Sequence, residues 1–199
     1  MEQPWFQPLV WMDYRLAVVF TVILPLVLLI WAFAGKSDAI QHLLVIYWRV
    51  ASLLLITVYL MIGALPISFI SALAARILIP VSLWFWVDIN EDIDDQSQSP
   101  LKLAFTSWRW AITVYMAIGS LVQLPFLSCA FSSKDAILAT PYCRVWLDPP
   151  WGFKQLFHTD ADPAVLGFFG LIGLTFYVLC FAYFLFIRLG KEGRSATGH

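Results

Sequence analysis

Long charge-free apolar runs alternate with short polar breaks along the chain, and most runs have the length of a bilayer crossing. A helix rises about 1.5 Å per residue, so roughly 20 apolar residues traverse a hydrocarbon layer of about 30 Å. Residues 16–35 form one such run between Arg15 and Lys36, and residues 110–133 a second between Arg109 and Lys134. Residues 163–187 form a third, closed by Arg188. Residues 39–87 are interrupted only by His42, Arg49 and Arg76, and are too long for a single crossing. Gly63-Ala64-Leu65-Pro66 lies near their middle, and Gly followed closely by Pro marks a turn. The pattern predicts an all-α, polytopic helical membrane protein with spans at about 16–35, 39–64, 67–87, 108–131 and 164–188. Its second and third helices form a tight hairpin.

The whole of 1–199 reads as one helical membrane domain, with an acidic loop at 88–107 and a longer loop at 132–163. The alternation of ~10-residue barrel strands is missing. The first run is not expected to be a cleaved signal, because Glu2 and Asp13 stand in place of a basic leader segment. Asp38 is placed to cap the second helix, with Gln41 reaching back to it. Pro25, Pro80 and Pro125 fall inside spans, where neighbouring helices can satisfy the carbonyls they free. Trp5, Trp11, Tyr14, Trp84, Trp86, Trp108 and Trp110 flank the runs as interfacial belts do.

Composition sharpens this reading. The chain is 61% apolar and 13% charged, against about 45–50% and 25% in soluble domains. Its 12 Lys and Arg against 13 Asp and Glu leave a net charge of −1, so no basic field exists to hold nucleic acid. Lys and Arg near span ends set orientation. Lys36, Lys102, Arg109, Arg188, Lys191 and Arg194 outnumber Arg15, Lys134, Arg144 and Lys154 on the other side. The bias predicts a cytoplasmic C-terminus, an outer or lumenal N-terminus, a cytoplasmic 88–107 loop and an outer 132–163 loop. Cys129 and Cys143 then share the oxidising side. Pairing them closes a loop of about 15 residues, worth roughly 3 kcal/mol in loop-closure entropy; two free thiols are the alternative. Cys180 reads as a small apolar residue of the last span.

Ionisable groups inside a bilayer are functional candidates. Arg49 and Arg76 are the two here, each about ten residues into its predicted span, and no Asp or Glu falls inside any predicted span to neutralise them. Both can instead snorkel toward the headgroups. Asp88, Glu91, Asp92, Asp94 and Asp95 form an acidic strip suited to a basic partner. Asp88, Asn90, Asp92 and Asp94 alternate as in a calcium loop, but Ile93 and Ser99 occupy the positions where that loop needs Gly and Glu. A solvated acidic loop is therefore the better reading. His42, His158 and His199 are not spaced for a metal. Gly167, Gly170 and Gly173, with Ser68, Ser71, Ala72 and Ala75, read as seams for close helix packing. Trp48-Arg49 with Ile56-Thr57-Val58-Tyr59 echoes Trp108-Arg109 with Ile112-Thr113-Val114-Tyr115, which would fit a parallel repeat of the second and fourth helices. Chance likeness within a small apolar alphabet is the alternative.

The runs Ile46-Tyr47-Trp48-Arg49-Val50-Ala51-Ser52, Gly63 to Phe69 and Arg76 to Asp88 resemble an uncharacterised multi-span membrane-protein family of cyanobacteria, a domain of unknown function. The resemblance implies a thylakoid or plasma membrane and transfers no site residue. No catalytic constellation, metal site or cofactor site is expected, although bound pigment or lipid remains open. Membrane lipids and other membrane proteins are the expected partners, and nucleic acid is not. The expected function is a non-catalytic accessory, assembly or stabilising component of a larger membrane complex, for which the resemblance implies a photosynthetic setting. The alternative is a small transporter or channel for an anionic solute or lipid headgroup that uses Arg49 and Arg76.

Overall fold

The computed structural model describes residues 4–195. Glu2 and His199 lie outside the described residues. Among the described residues every regular element is a helix, without a strand, and five helices are long and apolar enough to cross a membrane. These are α1 (Gln7–Ala34), α2 (Asp38–Ile62), α3 (Ile67–Trp84), α5 (Pro100–Phe131) and α9 (Pro163–Lys191). A short helix, α4 (Val87–Asp95), joins α3 to α5. Three more, α6 (Lys134–Ala139), α7 (Pro141–Arg144) and α8 (Asp148–Phe157), lie between α5 and α9.

Two span starts differ from the sequence expectation. Helix α1 begins at Gln7 rather than near 16, so Asp13 and Arg15 are inside it. Helix α5 begins at Pro100 rather than near 108 and encloses Lys102 and Arg109. Charges mark where an uninterrupted apolar run stops, but not where a helix stops. Pro8 and Pro100 stand in the first turns of their helices, where the missing N–H is not needed. The segment expected as a loop over 88–107 thus consists mostly of α4 and the start of α5. Ser37, not Asp38, is the cap position of α2. Gln41 reaches away from that cap, its Nε2 donating to the Ala32 carbonyl at the end of α1 at 3.0 Å.

Helix α2 is the hub, packed against α3, α9 and the second half of α1, while α3 also packs on α5. The α2–α3 hairpin turns at Ala64, whose φ is +52°. Glycine makes the α2–α9 contact close. A Cβ on Gly63 would stand 2.8 Å from the Gly167 Cα, and one on Gly170 would stand 2.9 Å from the Leu60 nitrogen. On α3, Ser68, Ser71, Ala72 and Ala75 are all buried, and the Ser71 hydroxyl lies 2.6 Å from that of Thr57 on α2. Buried Leu43, Leu44, Tyr47, Ile79, Leu83 and Phe105 belong to the larger core, and Phe69, Phe126, Ile137 and Leu147 to a smaller one.

Pro25 shows how a proline is accommodated inside a span. It has no N–H for the Thr21 carbonyl, and α1 widens into a π-turn over Val19–Ile23 just before it. The Tyr47 hydroxyl donates to the Thr21 carbonyl at 2.7 Å, and Trp108 Nε1 donates to the Phe20 carbonyl at 2.9 Å. Side chains from α2 and α5 thus supply donors that the backbone lacks.

Candidate functional site

Arg76 lies near the midpoint of α3 and is 9% exposed. Its Nη2 donates to Asp13 Oδ2 in an ion pair with α1. This overturns the expectation that no span carries a carboxylate for it, because the first helix reaches back past Asp13. From α5, the Tyr115 hydroxyl donates to both the Asp13 carbonyl and Oδ1, each at 2.8 Å. The Arg76 guanidinium also packs on the bare backbone of Gly119, where an added Cβ would lie 2.9 Å from Cζ. Larger residues at 119 would collide with it.

The Arg76–Asp13 pair forms the floor of a cavity of about 540 Å³, walled by Phe6 and Leu9 of the α1 end, by Ile118 and Val122 of α5, and by Phe126, Tyr142 and Trp146. Cys129 and Cys143 are joined by a disulfide with their Cα atoms 5.8 Å apart. It ties the end of α5 to the wall that carries Tyr142 and Trp146. The Phe126 and Tyr142 rings stack at 4.4 Å, and Trp146 meets Phe126 edge-on at 4.9 Å. Cys180 is a free, exposed thiol on α9.

Arg49 is elsewhere. It is exposed on α2, so the structure does not bring the two predicted arginines into one site. The helix echo diverges in the same way: Arg49 is exposed, whereas Arg109 is 3% exposed. Tyr59 meets His158 Nε2 at 2.9 Å, whereas its counterpart Tyr115 holds Asp13.

The acidic strip occupies α4 at the opposite end of the bundle. Ile89 and Ile93 are buried beneath it, and Glu91, Asp92, Asp94 and Asp95 point outward into exposed positions. Asp88 is turned partly inward and accepts from the Ser195 hydroxyl at 3.0 Å. Asn90 donates to the Trp86 carbonyl at 2.6 Å and accepts from Arg109 Nη1. The helix therefore spreads the alternating oxygens around its circumference. Among the described residues no three His, Cys, Asp or Glu side chains converge. Lys102 closes the far end of α4, its Nζ donating to the Asp94 and Gln96 carbonyls at 2.8 and 2.7 Å. A cation there also opposes the negative pole of the helix. Arg109 lies over the Trp84 ring, 4.0 Å from its centroid. Arg194 Nε donates to the Phe85 carbonyl at 2.9 Å, fastening the C-terminal segment to the same corner.

A family model described as a protein of unknown function, DUF3177, matches residues 7–197. The chain belongs to the DUF3177 family. No curated protein and no solved structure matches it. For this DUF3177 chain, chemical capacity therefore rests on its own geometry. That geometry offers a rigid helix carrying outward carboxylates at one end and a neutral ion pair under an aromatic cavity at the other.

Asp13, Tyr115, Gly119, Asn90 and Trp84 escaped the sequence reading as site residues. Pro8 was the available signal for Asp13, since a proline favours the first turn of a helix and so places its start well before the charge-free run begins. No local signal pairs Tyr115 or Gly119 with Arg76, because the three meet only when α3 packs on α5.

Proposed function

We propose that this membrane-embedded protein is a non-catalytic component that stabilises or helps assemble a larger membrane complex, docking a basic surface through α4. The observation behind this reading is that Glu91, Asp92, Asp94 and Asp95 are exposed on a helix anchored by Ile89, Ile93 and Lys102. A preorganised charged edge forfeits little ordering entropy on association, and electrostatic complementarity selects its partner. The resemblance to a cyanobacterial family favours a thylakoid or plasma membrane and, with it, a photosynthetic complex as the partner. The Lys/Arg bias favours α4 on the cytoplasmic side. The transport alternative loses ground because Arg76 is neutralised by Asp13 and Arg49 does not line the cavity above it.

The test is mild-detergent solubilisation followed by native electrophoresis and mass spectrometry. The wild type should migrate with larger membrane proteins, well above its own 22.6 kDa. Changing Asp92, Asp94 and Asp95 together to Asn should release it, and salt should weaken the association, since exposed charges are screened over about 8 Å at physiological ionic strength. Migration of the wild type alone, or partner-free solute flux from the purified protein in vesicles, would overturn the reading.

A further inference from the structure

The connection between α5 and α9 turns back alongside the bundle before α9 begins. Glycine contacts set the register of α2 against α9: Gly63 meets Gly167, Leu60 meets Gly170 and Ile56 meets Gly173. Trp151, in the first turn of α8, donates its Nε1 to the Ile62 carbonyl at the end of α2, at 3.2 Å. His158, just past the other end of α8, meets the Tyr59 hydroxyl at 2.9 Å. Tyr59 stands three residues before Ile62, about 4.5 Å further into the span. Its side chain leans toward the start of α2, which carries the contact deeper still. His158 is therefore level with the Leu60–Gly170 contact, two turns inside α9.

The two ends of α8 are treated differently. Pro149 and Pro150 are buried at its start, and Trp11 of α1 lies against Gly152. At the far end Leu156 and Phe157 are 75% and 62% exposed, and Phe153 packs on Phe157 one turn away with ring centroids 4.8 Å apart. These residues continue, at the same level, the exposed apolar surface that α9 presents at Phe168, Phe169 and Ile172. The polar groups of the turn are satisfied internally, as they must be near hydrocarbon. The His158 N–H donates to the Lys154 carbonyl at 2.7 Å, Lys154 Nζ to the Thr159 carbonyl at 3.1 Å and the Thr159 hydroxyl to the Gln155 carbonyl at 3.0 Å. Residues 132–162 carry three Lys and Arg against four Asp, a net charge of −1, so no basic field draws an anionic surface to them.

We infer that α8 is an interfacial helix whose Leu156–Phe157 end is inserted into the adjoining leaflet, and that the surface it docks on is neutral lipid. Amphipathic helices lie about 5–10 Å into the boundary between headgroups and acyl chains, and the register of His158 against α9 gives α8 that depth. Trp151 fixes one end of the helix at the terminus of α2, while Tyr59 and His158 fix the inserted end. The segment expected as a loop over 132–163 thus re-enters the membrane on the side of the bundle where it emerged. This surface is independent of the acidic helix α4.

The experiment uses the full chain in phosphatidylcholine bilayers, with Cys180→Ser removing the free thiol. A nitroxide label is attached in turn through Leu156→Cys and Phe157→Cys. Phe176→Cys, at an exposed position midway along α9, gives the lipid-facing reference, and Glu91→Cys, at an exposed position on α4, the water-facing one. Collisions with oxygen, which concentrates in hydrocarbon, are compared with collisions with a water-soluble nickel chelate. Positions 156 and 157 should be oxygen-rich and nickel-poor like 176, the reverse of 91. Replacing part of the phosphatidylcholine with phosphatidylglycerol should leave their ratios unchanged. Nickel-rich collisions at both positions would place the helix end in water, and few collisions with either reagent would place it under a protein partner or a second copy. Either result would overturn the assignment, and oxygen-rich collisions only with phosphatidylglycerol present would overturn the choice of neutral lipid.

Discussion

At the acidic end of the bundle, Arg109 is buried against the face of Trp84 and meets the amide oxygen of Asn90. At the disulfide end, Arg76 is buried against Gly119 and meets the carboxylate of Asp13. The two cations differ in what they leave behind. Arg109 has neutral immediate partners, so the exposed carboxylates of α4 keep their charge for the surface. Arg76 consumes the charge of Asp13, and the floor it forms is neutral. Distance along the helix does not explain the difference, since each arginine is the tenth residue of its helix. The neighbouring elements do: α1 brings a carboxylate to Arg76, whereas α3 and α4 bring Arg109 a π-face and an amide oxygen.

The first way to break the comparison is to remove the counter-charge. Asp13→Asn should destabilise the protein by about 3–5 kcal/mol, because it strands Arg76 in an apolar site. Adding Arg76→Met should recover most of that loss. Thermal unfolding of both variants and of Arg76→Met in one detergent checks this; equal damage in the single and double variants would mean that the pair is not coupled.

Opening the disulfide comes next in size. Replacing Cys129 and Cys143 with Ser should cost roughly 3 kcal/mol. Hydrogen exchange should speed up in α6 and α7 and stay unchanged in α4, since the bridge constrains only the loop it closes. Equal acceleration at both ends would show that the ends are not independent.

The smallest effect sharpens the acidic end. Lys102→Met should cost about 1 kcal/mol by releasing the Asp94 and Gln96 carbonyls and removing a cation from the negative pole of α4. Its mark should be faster exchange at the end of α4, with no change around Asp13. Unaltered exchange there would assign the capping to Gln96 and Ser37, whose side chains meet at 3.1 Å, instead of to Lys102.

Much of the plan was legible because a bilayer imposes a length on apolar runs. The hairpin at Gly63–Pro66 and the Gly167, Gly170 and Gly173 seam could be read from residue type, since turns and close helix approach need small side chains whatever surrounds them. Amphipathic α4 was harder. Ile89 and Ile93 are four residues apart, the spacing of one helix face, but the carboxylates around them favoured a loop when counted as composition.

What the sequence determined by itself is the insulation of five apolar stretches from water, because the cost of a charge in hydrocarbon is a local property of each run. What only the tertiary structure decided is which charges count as buried and with whom. Asp13, Arg76, Tyr115 and Gly119 stand on α1, α3 and α5, and Trp84, Asn90 and Arg109 on α3, α4 and α5. Their hydrogen bonds depend on how α3 rotates against α1 and α5, and that rotation is set by the sum of many small packing contacts rather than by any motif. The two echoing Trp-Arg pairs show the same limit: similar neighbours in sequence, yet Arg49 is exposed while Arg109 is buried against Trp84 and Asn90.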